Sequence, residues 1–228
     1  MLEQKIQLTD ASKNNYYYEE AIKTLRTNLQ FSGKNNKAIL ITSTVPGEGK
    51  SDISFHLAAE LGKAGKKVLL IDADIRKSVY ITRYQIYQQV YGLSQYLSGQ
   101  IDKLDQFLCR TNYENLHIIL AGPVAPNPSE MLGDSAFGDL IRATRKVYDY
   151  VLIDTPPINS VIDAAVVGQH CDGALLVVES GGVSYREVQR AKAQMEKSGC
   201  RVLGVVLNKM DIHSRPYYRS YYRENGYY

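Results

Sequence analysis

The chain has 228 residues, 44% of them hydrophobic and 22% charged, enough apolar content for one good-sized core, so a single globular domain with short appendages is expected. A formal net charge of +3 is too small to make nucleic acid a main partner, and none is expected. Cys109, Cys171 and Cys200 are odd in number and lack CxxC pairing, which argues against a disulfide framework or zinc site and for a reducing compartment; the start MLEQKIQLTD has no apolar run, so no signal peptide is expected, and no stretch approaches the run of about 18 apolar residues that a membrane span requires.

Residues 16–31 read as an N-terminal helix. Short apolar runs then recur at 38–41, 68–71, 117–120, 151–153, 174–178 and 202–207, as in parallel strands covered on both faces. Between them Ile53, Leu57 and Leu61 repeat at helical spacing, as do Tyr185, Val188, Ala191 and Met195 behind a Ser184/Glu187 capping box. Strand and helix alternating in this way predict an α/β fold of the P-loop type, an open, mostly parallel sheet flanked by helices, with ligands at the carboxyl ends of the strands. From residue 211 onward periodicity is lost, and a flexible tail is expected.

The phosphate signal follows the first long strand. Residues 43–51, STVPGEGKS, lead into a helix and match GxxxxGK[ST] except that Thr44 stands at the first glycine. Pro46, Gly47, Glu48, Gly49, Lys50, Ser51 and Asp52 are the expected nucleotide contacts: glycines let backbone N–H groups turn toward phosphate oxygens, Lys50 reaches the β- and γ-phosphates, and the Ser51 hydroxyl meets Mg²⁺. Asp52 stands where a hydroxyl residue often faces the α-phosphate, so it either weakens ATP binding or serves as an ordinary acidic residue in a first helical turn. The run VLLIDADIR at 68–76 sends Asp72 and Asp74 off one face of a strand end, and YVLIDTPP at 150–157 ends a strand in Asp154. Mg²⁺ needs carboxylate oxygens beside phosphates, and three carboxylates accompanying a P-loop supply them.

Eighteen tyrosines, four phenylalanines and no tryptophan make up the aromatic content, with clusters at 16–18 and near the carboxyl terminus. Tyr217, Tyr218, Tyr221, Tyr222, Tyr227 and Tyr228 interleave with Arg219 and Arg223. That spacing suits a phosphoacceptor tail; stacking on single-stranded nucleic acid and an unmodified docking segment are the competing readings.

GEGKS after an apolar strand, DADIR as a second aspartate motif, LIDTPP, GLSQYLSG at 92–99, APNPSE at 125–130 and the tyrosine tail together resemble the bacterial tyrosine kinases, in particular the capsular and exopolysaccharide CpsD-like type of Gram-positive bacteria. The resemblance runs from about Tyr16 to Tyr228. It implies an ATP- and Mg²⁺-dependent protein-tyrosine kinase in which Lys50 and Ser51 hold phosphate and metal, Asp74 and Asp154 complete the metal's surroundings, and Asp72 accepts the phenol proton, although spacing alone does not divide base from ligand. Arg76 is a candidate phosphate contact or an ion-pair residue, and the strand-ending Asn208 belongs near adenine. Glu20, Lys23 and Arg26 match the family's Ex2Rx2R subunit-contact motif with Lys for the middle Arg; helix-surface pairing is the alternative. The same resemblance implies a division into an N-terminal segment and helix (1–32), a P-loop kinase domain (33–210) and an autophosphorylated tail (211–228). It further implies a transmembrane activator that brings the cytoplasmic chain to the inner face of the membrane, a ring-like homo-oligomer, a cognate tyrosine phosphatase, and polysaccharide-synthesis proteins as substrates. Two rivals share the P-loop. A GTPase would explain Asn208, Lys209 and Asp211 but requires Gly at Pro157, and a partitioning-type ATPase switch would carry an extra lysine between Ser43 and Val45.

Overall fold

Apolar strands flanked by amphipathic helices assemble as the sequence pattern requires. The computed structural model describes residues 4–11 and 16–211. In chain order the elements are β1 (Gln4–Lys5), α1 (Tyr16–Phe31), β2 (Ala38–Ser43), α2 (Lys50–Lys63), β3 (Val68–Asp72), α3 (Tyr80–Arg83), α4 (Leu93–Leu97), β4 (Cys109–Arg110), β5 (Leu116–Ile119), α5 (Pro128–Gly133), α6 (Ser135–Val147), β6 (Tyr150–Asp154), α7 (Asp163–Gly168), β7 (Gly173–Glu179), α8 (Tyr185–Lys197) and β8 (Val202–Asn208). They form one eight-stranded sheet ordered β1-β4-β5-β3-β6-β2-β7-β8, parallel throughout from β5 to β8, with β4 antiparallel to β5.

The period of two along each strand divides the core. Ile39, Ile41, Val68, Leu70 and Leu152 pack toward α1, α2 and α3 with Ile22, Leu29, Phe55, Leu57, Tyr80 and Tyr84. Ala38, Leu40, Leu69, Ile71, Val151 and Ile153 point the other way, onto Phe137, Ile141, Val167, Ala191 and Met195 of α6, α7 and α8. Every residue of β2 and β3 is buried, which explains why their sequences read as unbroken apolar runs instead of alternating ones. The capping box forms: the Glu187 N–H donates to Ser184 Oγ at 3.3 Å and the Ser184 N–H to Glu187 Oε2 at 2.8 Å.

One expectation needs correcting. The N-terminal segment is not an appendage, because Gln4–Lys5 extends the sheet beside β4, Ile6 and Leu8 are buried, and α1 seals Ile22 and Leu29 against α2. The chain crosses from β2 through α2 to β3, leaving room for β6 between them, and later returns to place β7 on the other side of β2. This reversal of winding around β2 opens the crevice at the carboxyl ends of the strands, which holds the candidate site.

Candidate active site

β2 ends at Ser43 and α2 begins at Lys50, so residues 44–49 form a loop over the helix N-terminus. Gly47 and Gly49 both have φ of 89°, a left-handed conformation that side chains disfavour. Around Gly47 no atom lies within 4 Å of where a Cβ would stand, whereas at Gly49 a Cβ would meet Asn208 Nδ2 at 2.3 Å. The loop therefore has an open crest at Pro46 and Gly47 and a tightly packed base.

Glu48 is what closes that base. Its carboxylate is buried, with Oε2 accepting from the Thr44 N–H and Thr44 Oγ1 (both 2.6 Å) and from the Val45 N–H (2.9 Å), and Oε1 accepting from the Glu179 N–H at 3.0 Å. Thr44 in place of the first glycine is thereby accounted for: its hydroxyl is a second donor to the carboxylate four residues ahead. Asn208 also braces the loop, its side-chain amide donating to the Glu48 carbonyl at 2.9 Å. Both residues were expected as nucleotide contacts, and the side chains of both hold the loop in shape.

The carboxylates converge because register forces them to. β3 and β6 pair with Asp72 directly opposite Asp154, two buried aspartates on adjacent strand ends. Lys50 reaches over them, with Nζ 3.4 Å from Asp74 Oδ2, 3.6 Å from Asp154 Oδ2 and 3.2 Å from Ser51 Oγ. Burial works against the Lys50 charge, but Asp154, Asp74 and Asp72 outweigh it and hold the ammonium above its ordinary pKa. Asp72 is pushed up to about 8 by burial first and by the Asp154 charge second, while a hydrogen bond from Ser78 and the Lys50 ammonium pull the other way. Asp154 is likewise raised by burial, with Lys50 opposing.

Ser78, Ser54 and Tyr80 were not read from the sequence. Ser78 Oγ donates to Asp72 Oδ2; Ser54 Oγ donates to the Lys50 carbonyl at 2.8 Å and to Asp154 Oδ1 at 3.3 Å; the Tyr80 hydroxyl donates to the Ser51 carbonyl at 3.1 Å. Ser54 follows Lys50 by one helical turn, and that spacing was the only available signal. The other two reach across loops.

The residues fit Mg²⁺ on one observation: Asp154 Oδ2 is buried and accepts no hydrogen bond, and an acceptor in that condition suits a hard cation that takes oxygen ligands. Among the described residues no group of three or more His, Cys, Asp or Glu side chains forms a metal cage of its own.

Three expected contacts point elsewhere. Both oxygens of Asp52 are engaged, Oδ2 by the Tyr18 hydroxyl and Oδ1 by Arg83 Nη2, each at 2.6 Å, so its carboxylate is tied to α1 and α3 instead of facing an α-phosphate. Arg76 forms a forked ion pair with buried Asp163, Nε to Oδ2 at 2.7 Å and Nη2 to Oδ1 at 2.9 Å, and Nη2 also donates to Ser129 Oγ at 2.9 Å. Arg76→Ala is expected to cost about 3–5 kcal/mol of unfolding stability, since it strands a buried carboxylate, while ATP affinity measured by calorimetry stays within about twofold. A large loss of affinity with unchanged stability would return Arg76 to the phosphate site. In α1, Lys23 pairs with Glu20 at 2.7 Å, as the helix-surface alternative has it, while Arg26 reaches across to Glu60 of α2 at 2.8 Å. The six tail tyrosines lie outside the described residues.

With the geometry in place, comparison with known proteins is informative. A family model described as an AAA domain matches residues 36–197. The tyrosine-protein kinase CpsD of Streptococcus pneumoniae is 45% identical over 199 residues, covering 87% of each chain. The crystal structure of the chimerical protein CapA2B2 superposes with a TM-score of 0.80 at 31% identity, covering 91% of this chain and 94% of that one. The septum site-determining protein MinD of Pyrococcus horikoshii, solved with Mg-ADP, gives a TM-score of 0.65 at 25% identity over 75% of this chain and 69% of its own.

Proposed function

The chain belongs to the bacterial tyrosine-protein kinases of the CpsD type, and from that membership we propose that it transfers the γ-phosphoryl group of ATP to its own tail tyrosines, from one copy to another. That the enzyme is a protein-tyrosine kinase follows from the relatives; the acceptor, the residue roles and the biological setting are our reading. The observation that carries the roles is the pairing of Asp72 with Asp154 beneath Lys50, which puts a candidate base, a candidate metal ligand and a phosphate-binding cation in one crevice.

In this reading the open crest at Gly47 and the N-terminal turn of α2 receive the phosphates through backbone N–H groups. Lys50 swings from its carboxylates toward the β- and γ-oxygens. Ser51, Asp74 and Asp154 would hold Mg²⁺, which when bound neutralises charge on those phosphates. The MinD neighbour's complex with Mg-ADP supports both cofactors. Asp72 takes the proton as the tyrosine oxygen forms its bond to the γ-phosphorus and the bridging bond to ADP breaks. A phenol of pKa about 10 gains from a carboxylate base whose own pKa is raised.

The acceptors are Tyr217, Tyr218, Tyr221, Tyr222, Tyr227 and Tyr228. A segment of that length extends about 40 Å, enough to enter a second copy's crevice. The likeness to the chimerical protein CapA2B2 supports an activator that supplies a segment in trans and brings the kinase to the membrane. Assembly into a ring through Glu20, Lys23 and Arg26, reversal by a tyrosine phosphatase, and control of capsular or exopolysaccharide synthesis and export complete the proposal.

The test is mass spectrometry of residues 211–228 after incubation with ATP, magnesium and the activator's cytoplasmic segment. Phosphate is expected on the tail tyrosines of the wild type and of a Lys50→Met chain mixed with active enzyme, but not on Lys50→Met alone. Unmodified tail phenols in a preparation that binds ATP would overturn the proposal.

A further inference from the structure

In this fold the helices run antiparallel to the strands they connect, so the carboxyl ends of α1, α2, α6 and α8 share one edge of the molecule with the amino ends of β2, β3, β6 and β8. That edge lies opposite the candidate site. It is also one continuous surface: Lys37 Nζ donates to the Arg145 carbonyl at 3.3 Å, the Asp149 N–H to the Lys67 carbonyl at 2.8 Å, and Arg201 Nη2 to Asn36 Oδ1 at 3.3 Å, tying together the loops before β2, β3, β6 and β8.

The edge is strongly cationic. Lys34, Lys66, Lys67, Lys146, Lys197 and Arg201 stand on it, exposed or half-buried. The acidic groups there are partly engaged. The Asp172 carboxylate accepts from the Lys37 and Ala38 N–H groups and pairs with Arg145, and Glu196 pairs with Lys192, so the exposed carboxylates set against these six cations are Glu114 and Asp149, the latter accepting from the neutral Lys67 N–H and keeping its charge. For a chain whose whole formal charge is +3, this is a marked polarity along the strand axis, since Asp72, Asp74 and Asp154 lie at the other end. Two large apolar side chains project among these cations: Phe31, 84% exposed, at the end of α1, and Val147, 63% exposed, at the end of α6. They belong to the two different helical layers, so a flat surface touching the edge meets both.

The helix dipole explains lysines in last turns, such as Lys146 and Lys197. It explains neither the loop cations Lys34, Lys66, Lys67 and Arg201 nor an exposed phenylalanine among them. A soluble polyanion would need the charge alone. Cations ringed about exposed apolar groups fit a bilayer interface, where headgroups take the charge and the acyl boundary takes the side chains.

We propose that this edge is a docking surface for a membrane bearing anionic lipid headgroups, with Phe31 and Val147 entering the interface and the phosphate-binding crevice turned away from the bilayer. The contact belongs to the chain itself and adds to whatever an activator provides.

The test is co-sedimentation of the full chain with vesicles of phosphatidylcholine alone, or with about a third phosphatidylglycerol. Retention is expected only on the anionic vesicles, falling as salt rises. Reversing Lys66→Glu and Lys67→Glu together should lower it by about tenfold or more, judged by the energetic scale of cations at anionic surfaces. Phe31→Ser should lower it several-fold. The same charge change at the far end of α8, Arg186→Glu with Arg190→Glu, should leave it intact, and phosphorylation activity in vesicle-free solution should verify that each variant is folded. Lack of retention on anionic vesicles overturns the proposal, as does equal loss in both charge-reversed pairs. So does capture by heparin with no effect of Phe31→Ser on vesicle binding, which would mark the edge as a general polyanion site.

Discussion

Replacing Lys50 by Met is expected to abolish phosphorylation, lowering kcat by at least about a thousandfold, and to destabilise the domain at the same time. The two effects share a cause. Lys50 is the cation facing Asp72, Asp74 and Asp154 in a site that excludes most water, and it is held in its charged form by them. Its removal leaves buried carboxylates uncompensated, and breaking a buried pair in this way costs about 3–5 kcal/mol, offset in part by protonation of the carboxylates. Thermal melting without nucleotide should show the Tm deficit of Lys50→Met largest near neutral pH and shrinking as pH falls, because burial raises Asp72 and Asp154 and they take up protons in the folded variant. A Tm equal to wild type at pH 7 would mean that the lysine is not the partner these distances imply.

Asp72→Asn should behave in the opposite way on stability while also losing activity. Loss of a general base costs about a hundredfold to ten-thousandfold in kcat, with KM for ATP little changed because Asp72 is not expected to touch the nucleotide. Stability moves with the sign of the pKa shift. The folded carboxyl titrates at about 8, far above its unfolded value near 4. Between those values the unfolded chain has released the proton and the folded chain retains it, so Asp72 lowers stability progressively as pH rises through that window. Asn, which cannot ionise, removes the penalty, and a gain on the order of a few kcal/mol is expected at pH 8, vanishing toward pH 4. The comparison is made by denaturant melts of wild type and variant at both pH values, without magnesium. A variant less stable than wild type at pH 8 would refute the assigned burial cost. The site therefore holds an arrangement that weakens the fold where the chemistry needs it.

Much of this was legible before any coordinates. Six apolar runs, each too short for a helix and too apolar for an exposed strand, placed the parallel core, and Asp72 and Asp154 declared themselves by ending two of those runs. Less legible were β1 and β4, each two residues long and too short to show a period, and β1 pairs with a partner about a hundred residues away. Arg76 was left open between a phosphate contact and an ion pair for the same reason: its partner Asp163 lies 87 residues away, and no spacing rule reports an ion pair made across the fold. The side-chain directions of Glu48 and Asp52 were hidden for a different reason. A motif states which residue types accompany a phosphate loop but not whether a side chain turns toward the ligand or back into the loop, and here Thr44, with Tyr18 and Arg83, decides it. Asn208 fell near its expected place yet serves the loop backbone.

The brace on the phosphate loop has a consequence for biosynthesis. Residues 44–49 leave the ribosome early, but the groups that fasten Glu48, the Glu179 N–H and the Asn208 amide, are translated some 130 to 160 positions later. Until the final two strands dock, the nascent loop lacks its fastenings, so a ribosome-bound or truncated chain should not grip nucleotide. The grip on nucleotide is therefore expected to await the docking of β7 and β8, long after the loop itself has been made.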